Sequence, residues 1–294
     1  MYFVTFGTPT KPRLGLVEGD AVIDLAKAAG DARLPGDMLS LIEAGPAALK
    51  KIARLAAKTP RAARKPLSSL RLLAPIPHPR RNVFCLGLNY AEHAKESAEA
   101  RGREVKLPQH PVFFTKATGA VNGPFDDIPC DPQVTQQLDW EVELGVIIGK
   151  AGKNIPREKA MEYVFGYTVV NDVSARDLQW NHQQFFKGKS LDGACPMGPW
   201  IVTADEIDNP HALAIRCRVN GVTKQDSTTA NMIFTVPAIV EILSRGLTLQ
   251  PGDVIATGTP SGVGFARTPP EFLQPGDVVE CEVEKIGVIR NRIA

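Results

Sequence analysis

Beyond residue 82 the chain keeps returning to one kind of segment. PVFFTK, DWEVELGVIIG, VFGYTVVND, GPWIVTADEI, LAIRCRVNG, GDVIATGTP and DVVECEVEKIGVI are short runs of Val, Ile and aromatic residues, broken by Gly, Pro, Asn or Asp. β-Branched and aromatic side chains suit a pleated surface, and Gly and Pro punctuate it, so these runs predict strands joined by tight turns. The 25 glycines and 24 prolines in 294 residues are what so many turns require, and they follow no Gly-X-Y period. LQPGDVIA (249–256) echoes LQPGDVVE (273–280), which predicts two similar sheet corners; two copies are too few for a solenoid. Helical pieces are fewer: YAEHAKESAEARGRE, REKAMEYV, SARDLQWNH and VPAIVEILSRG. The pattern predicts an α+β domain dominated by antiparallel or mixed sheet.

Residues ahead of this region have a different character. YFVTF and the stretch 14–30 predict two or three short strands, and 34–58 predicts two helical pieces with Leu49, Ile52 and Leu55 on one face. LAPIPHPRRN (73–82) is too rich in proline for a helix and predicts an extended joint, so domains are expected at 1–74 and 75–294. Charge divides at the same place. Residues 1–81 carry fourteen Lys and Arg against six Asp and Glu, +8, and the remainder twenty against twenty-six, −6. The basic stretch Lys50, Lys51, Arg54, Lys58, Arg61, Arg64, Lys65 has no interleaved aromatics. A solvated helix face is expected there, and no nucleic-acid or membrane partner.

Composition excludes several classes. At 44% hydrophobic and 22% charged the chain is not disordered. Its five cysteines (Cys85, Cys130, Cys195, Cys217, Cys281) form no CxxC pair, which argues against a zinc knuckle or disulfide scaffold. No apolar run approaches the ~18 residues of a membrane span, and the first residues lack a signal-peptide pattern, so a cytoplasmic location is expected.

The chemistry concentrates in a few places. In DWEVELGVII the period of two puts Val142, Leu144, Val146 and Ile148 on one strand face and Glu141 with Glu143 on the other. Two buried like charges would force one to protonate unless a cation neutralises them; on an edge strand both would lie in water. Asp172 closes an apolar strand just before a helix that Ser174 could cap, and it supplies a natural third ligand. Three carboxylates without a Cys/His cluster suit Mg²⁺, Mn²⁺ or Ca²⁺ rather than zinc. His93 and Glu96 lie at i, i+3, either as a general-base dyad or as an incidental pair on a polar helix. Lys189, in KGKSLDGACPMGPW, is either an anion clamp or a surface lysine. Cys195 has no basic partner in sequence and is expected to be structural. TGTPSGVG (257–264) is a small-residue loop able to approach a ligand closely.

Taken together, GLNYAEHAKE, PVFFTKATGAVNGP, DWEVELGVIIG, GYTVVNDVSARDLQ, GKSLDGACPMGPW and TGTPSGVG, in this order, make the chain resemble the fumarylacetoacetate hydrolase superfamily over about residues 75–290. The resemblance implies an α+β catalytic domain whose mixed β-sheets form a β-roll or partly open barrel, preceded by a small N-terminal α+β domain. It implies Glu141, Glu143 and Asp172 as metal ligands, His93, Glu96 and Lys189 as catalytic residues, and Lys116, Arg176, Gln179 and Thr259 facing substrate. Lid residues 93–108 and the 180–187 loop would shape the pocket. The segment Cys85–Asn89 lacks the further acid of fumarylacetoacetate hydrolase proper, which favours the acylpyruvate-type branch. The implied reaction is Mg²⁺- or Mn²⁺-dependent C–C hydrolysis of an acylpyruvate-like or 2,4-diketo acid. Decarboxylation or isomerisation of an enolisable 2-oxo acid such as oxaloacetate is the alternative, and a non-catalytic interaction protein a remote one. A homodimer is implied as well.

Overall fold

A computed structural model describes residues 1–29 and 34–294; Gly30, the last residue of the 14–30 stretch, lies outside them. The centre of the fold is the strand Val142–Ile148, every residue of which is buried. It pairs antiparallel with Val164–Asn171 on one side and Val254–Ala256 on the other. From Val164–Asn171 the sheet continues through Cys195–Thr203 to Tyr2–Thr8, Lys11–Glu18, Ala21–Asp24 and Lys65–Pro66. In the other direction Val254–Ala256 pairs parallel with Val83–Gly87, which pairs antiparallel with Val112–Lys116. This mixed, twelve-stranded sheet does not close on itself among the described residues. A second sheet orders Val222–Thr228, Ala214–Val219, Val278–Val283 and Gly287–Arg292, all antiparallel.

The central strand separates two cores, and its alternation decides what each receives. Val142, Leu144, Val146 and Ile148 join a cluster that includes Ile215, Cys217, Val279 and Cys281 of the second sheet. Ile147, on the opposite face, joins Phe3, Leu41, Ile52, Ile201 and Val254. A strand covered on both faces reads as a continuous apolar run, which is what residues 144–148 are.

That second cluster crosses the 74/75 boundary. Phe3 pairs with Ile201 and Tyr2 with Val202 along the main chain, so the leading strands extend the large sheet. The proline-rich joint is itself packed: Ala74 and Ile76 are buried in the same cluster, and the Thr5 hydroxyl donates to the Pro75 carbonyl at 2.7 Å. The helix Met38–Ala56 starts on a capping box between Asp37 and Ser40 and kinks at Gly45–Pro46. Ile52 turns inward while Lys50, Lys51 and Arg54 are exposed, a solvated face. The twin LQPGD segments form the same turn. The Gln250 and Gln274 amides donate to the carboxylates of Asp253 and Asp277, with Gly252 and Gly276 at positive φ. REKAMEYV forms a 3₁₀ turn over Arg157–Tyr163 rather than an α-helix. No helix among the described residues is long and apolar enough to cross a membrane.

Phe3 is fully buried where the leading strands meet the rest of the sheet. Phe3→Ala is expected to cost about 3–5 kcal/mol, seen as a lower urea midpoint. The transition should stay single and coincide between fluorescence and circular dichroism, because one core spans the boundary.

Candidate active site

The carboxylates of Glu141, Glu143 and Asp172 converge at the end of the central strands, with one oxygen of each within 4.8 Å of the others. Their placement follows from pairing. Val142 lies opposite Asn171, so the chain leaving one strand and the chain entering the next bring Glu141 and Asp172 together, and the Asp172 amide donates to the Glu141 carbonyl at 2.9 Å. All three residues are buried, in the interior and not on an edge. Ser174 does not cap the following helix. It lies in a two-residue strand and its hydroxyl donates to the Asp172 carbonyl, while the helix Arg176–Asn181 starts after Ala175 without a side-chain cap.

Three cations surround the cluster. The Lys189 ammonium donates to Glu141 Oε2 and Asp172 Oδ2, both at 2.8 Å. Lys116 donates to Asp172 Oδ1 at 2.5 Å and to the Val173 carbonyl at 2.9 Å. Arg176 lies 2.7 Å from Glu141 Oε1 and donates through Nε to Asp139 Oδ2 at 2.9 Å. Lys116 was expected on the pocket wall. It is fully buried behind Asp172 instead, and orients that carboxylate. Gln179, one turn beyond Arg176, accepts from its guanidinium at 3.0 Å. The helix Phe186–Lys189 brings Lys189 in close because residue 188 is glycine: a Cβ there would sit 2.4 Å from the Gln179 amide nitrogen.

Among the described residues four carboxylates, counting Asp139, thus share three cations, and Glu143 is the one without a cationic partner. It accepts from the Gly258 amide at 2.8 Å through Oε2, while its buried Oε1 has no hydrogen-bond partner among the described residues. Burial, then the charges of Asp172 and Glu141, push its carboxyl well above the ordinary glutamate range. Burial opposes ionisation of Glu141 too, but Lys189 and Arg176 outweigh it and hold that carboxyl well below the usual range. Lys189 in turn is held above an ordinary lysine: burial would lower it, and Asp172 and Glu141 more than offset that. An unpaired oxygen in a cluster of hard oxygen donors with surplus negative charge fits a divalent cation, which Glu141, Glu143 and Asp172 could hold.

Beside the cluster opens a narrow cleft of about 60 Å³, lined by His93, Arg176, Gln179, Lys189 and Thr259 among others. His93 is on the helix Ala91–Ala100. Its Nδ1 lies 2.9 Å from Glu96 Oε1, which fixes Nδ1–H as the donor and leaves Nε2 as the basic nitrogen. Glu96 is held in turn by the Gly262 amide, at 2.8 and 3.1 Å. The loop after Val254–Ala256 thereby touches both the dyad and Glu143. Gly258, at φ +98°, presents its amide to Glu143, and a Cβ there would lie 2.7 Å from Asn89 Cβ. Cys195 is buried, and burial first of all pushes its thiol up to about 12, a structural thiol.

Several contributors carried no assignment in the sequence. Asp139 accepts the Gly264 and Phe265 amides as well as Arg176, and its place just ahead of the strand was its only signal. Gln225 is buried between the sheets. It accepts from the Val142 amide at 3.0 Å and donates to Thr259 Oγ1 and the Pro260 carbonyl, each at 2.8 Å. Asn89 ties the Thr257 and Phe234 carbonyls together. Polar segments hide both residues.

Residues 82–294 match the fumarylacetoacetate (FAA) hydrolase C-terminal family. The oxaloacetate tautomerase YisK of Bacillus subtilis (strain 168) is 43% identical over 292 residues, covering 95% of this chain and 94% of that protein. The mitochondrial oxaloacetate tautomerase FAHD2A of Bos taurus is 44% identical over 300 residues, covering 100% and 91%. Among solved structures, a fumarylacetoacetate hydrolase from psychrophilic Exiguobacterium antarcticum superposes with a TM-score of 0.83 at 41% identity, covering 100% and 99% of the two chains. The maleylpyruvate hydrolase of Sphingobium sp. SYK-6, solved with manganese(II) and pyruvate, gives 0.79 at 29% identity over the same shares.

Glu143 generates a pH prediction. With its pKa raised in the folded, metal-free protein, it holds a proton that a divalent cation must displace, so Mn²⁺ affinity rises with pH and falls as pH drops. By the same sign, stability of the metal-free protein declines as pH rises through that raised value. Calorimetry over a pH series should show a range in which binding releases a proton, read as a buffer-dependent heat, which Glu143→Gln abolishes while weakening Mn²⁺ binding about tenfold or more. Identical heats in all buffers would refute it. For Gln225→Leu, the expectation is a kcat fall of about 10- to 100-fold with Mn²⁺ binding retained, because Thr259 loses its brace.

Proposed function

The chain belongs to the fumarylacetoacetate hydrolase family, and on that premise we propose that it is a divalent-metal-dependent isomerase interconverting the keto and enol forms of an oxaloacetate-like 2-oxo acid. The relatives at 43–44% identity over nearly the whole chain are oxaloacetate tautomerases, which favours the isomerase alternative over C–C hydrolysis. The site observation that carries the reading is the His93–Glu96 dyad facing the same cleft as Lys189 and the carboxylate cluster. That set provides a proton carrier and a seat for enolate charge, which is all that tautomerisation needs.

When bound by Glu141, Glu143 and Asp172, Mg²⁺ or Mn²⁺ supplies Lewis acidity to the 2-oxo group, and the manganese in the maleylpyruvate hydrolase structure supports that choice. The remaining work falls to the chain. His93 Nε2 takes a proton from C3 of the keto form, and the electron pair of that C–H bond becomes the C2–C3 double bond. Charge moves to the former carbonyl oxygen, next to the Lys189 ammonium. Glu96 steadies the imidazolium, and return of the proton to oxygen gives the enol. In the reverse direction the same proton goes back to C3. Thr259 is fixed on the cleft wall by its hydrogen bond to the Val142 carbonyl at 2.9 Å.

The test is to follow decay of the enol's ultraviolet absorbance with Mn²⁺-loaded protein and oxaloacetate. Acceleration over Mn²⁺ alone is expected. His93→Ala should reduce it by about 10²- to 10⁴-fold while Mn²⁺ binding stays intact. Turnover of acetylpyruvate or fumarylpyruvate with no acceleration of oxaloacetate tautomerisation would return the reading to hydrolysis.

A further inference from the structure

The cations of the cleft are not equivalent. Arg176 and Lys189 are both buried and bound to carboxylates of the cluster. Arg101, just after the helix Ala91–Ala100, also lines the cleft, but among the described residues it has no carboxylate within ion-pair distance. Partial burial and then the neighbouring Arg103 push its pKa down. The aromatic wall holds it in place. Its guanidinium lies 5.7 Å from the centre of the Trp180 ring, Trp180 meets Phe265 edge to face at 5.3 Å, and Phe265 lies 4.5 Å below the Arg176 guanidinium. Trp180 and Phe265 thus bridge a mouth cation to a cluster cation along one wall. Aromatic faces hold a guanidinium while leaving its N–H donors free. A planar fork with free donors at the mouth matches a carboxylate.

We propose that Arg101 is a specificity-determining residue that binds the second carboxylate of the substrate, so that the cleft selects 2-oxo dicarboxylates over 2-oxo monocarboxylates. This rests on the 2-oxo acid reading above, in which the other end of the substrate lies at the carboxylate cluster. Arg101 touches substrate at the end remote from the proton transfer. Its loss is felt in binding of the dicarboxylate, and the chemistry at His93 and Lys189 is left in place.

Oxaloacetate and pyruvate, which differ by that one carboxylate, are the probes. Their dissociation constants are measured by calorimetry on the Mn²⁺-loaded protein, for wild type, Arg101→Gln and Arg101→Lys. Wild type is expected to bind oxaloacetate about tenfold or more tighter than pyruvate, as charge-assisted hydrogen bonds allow. Arg101→Gln should bring the two to near parity with pyruvate binding unchanged, and Arg101→Lys should recover part of the preference. Arg101 is exposed, so the variants should fold, and unchanged Mn²⁺ affinity verifies it. An intact preference in Arg101→Gln overturns the proposal, as does equal weakening of both ligands, which would mark a role in lid packing. No preference in wild type overturns it as well, whatever the tautomerase assay gives. A wild-type preference erased by Arg101→Gln, with no tautomerisation by wild type, keeps the Arg101 assignment and removes only the isomerase reading.

Discussion

The buried charge imbalance around Glu141, Glu143 and Asp172 is what the rest of the molecule serves. Carboxylates this close and this far from water are tolerable only if cations come to them. Lys189, Lys116 and Arg176 do so from three separate segments, and Asp139 is added to fix Arg176. Among the described residues the supply stops one charge short, at Glu143, which keeps an unpaired oxygen, and burial with the charges of Asp172 and Glu141 raises its pKa. The least satisfied group is therefore also one that could hold a cation.

Holding such a cluster needs a rigid frame, and the sheet provides it. The strand Val142–Ile148 is hydrogen-bonded on both edges and covered on both faces, so Glu143, and Glu141 just ahead of it, have little freedom to drift. The leading strands add to this frame from far upstream in the chain, by way of the pairing of Phe3 with Ile201. Gln225 does comparable work from the second sheet, holding the Val142 amide and the Thr259 loop in one set of hydrogen bonds.

The parts legible in the sequence were those set by local periodicity. Alternation placed Glu141 and Glu143 on one face, and a strand end marked Asp172. Spacing of three put His93 beside Glu96, and the LQPGD repeat announced two like corners. What stayed hidden depends on distant pairing. Nothing in YFVTF says that its partner is near residue 201. Val222–Thr228 is a mostly polar run, yet Gln225 within it is buried. Lys116 reads as a pocket lysine until the fold puts Asp172 in front of it. Expectation of hydrolysis failed to single out the favoured reaction for a chemical reason: one enolate-stabilising site serves several outcomes.

Glu96 answers to two masters. One carboxylate orients the His93 ring and also receives the Gly262 amide from the loop that carries Gly258 and Thr259. The place of that loop and the orientation of the imidazole are thereby tied through one carboxylate.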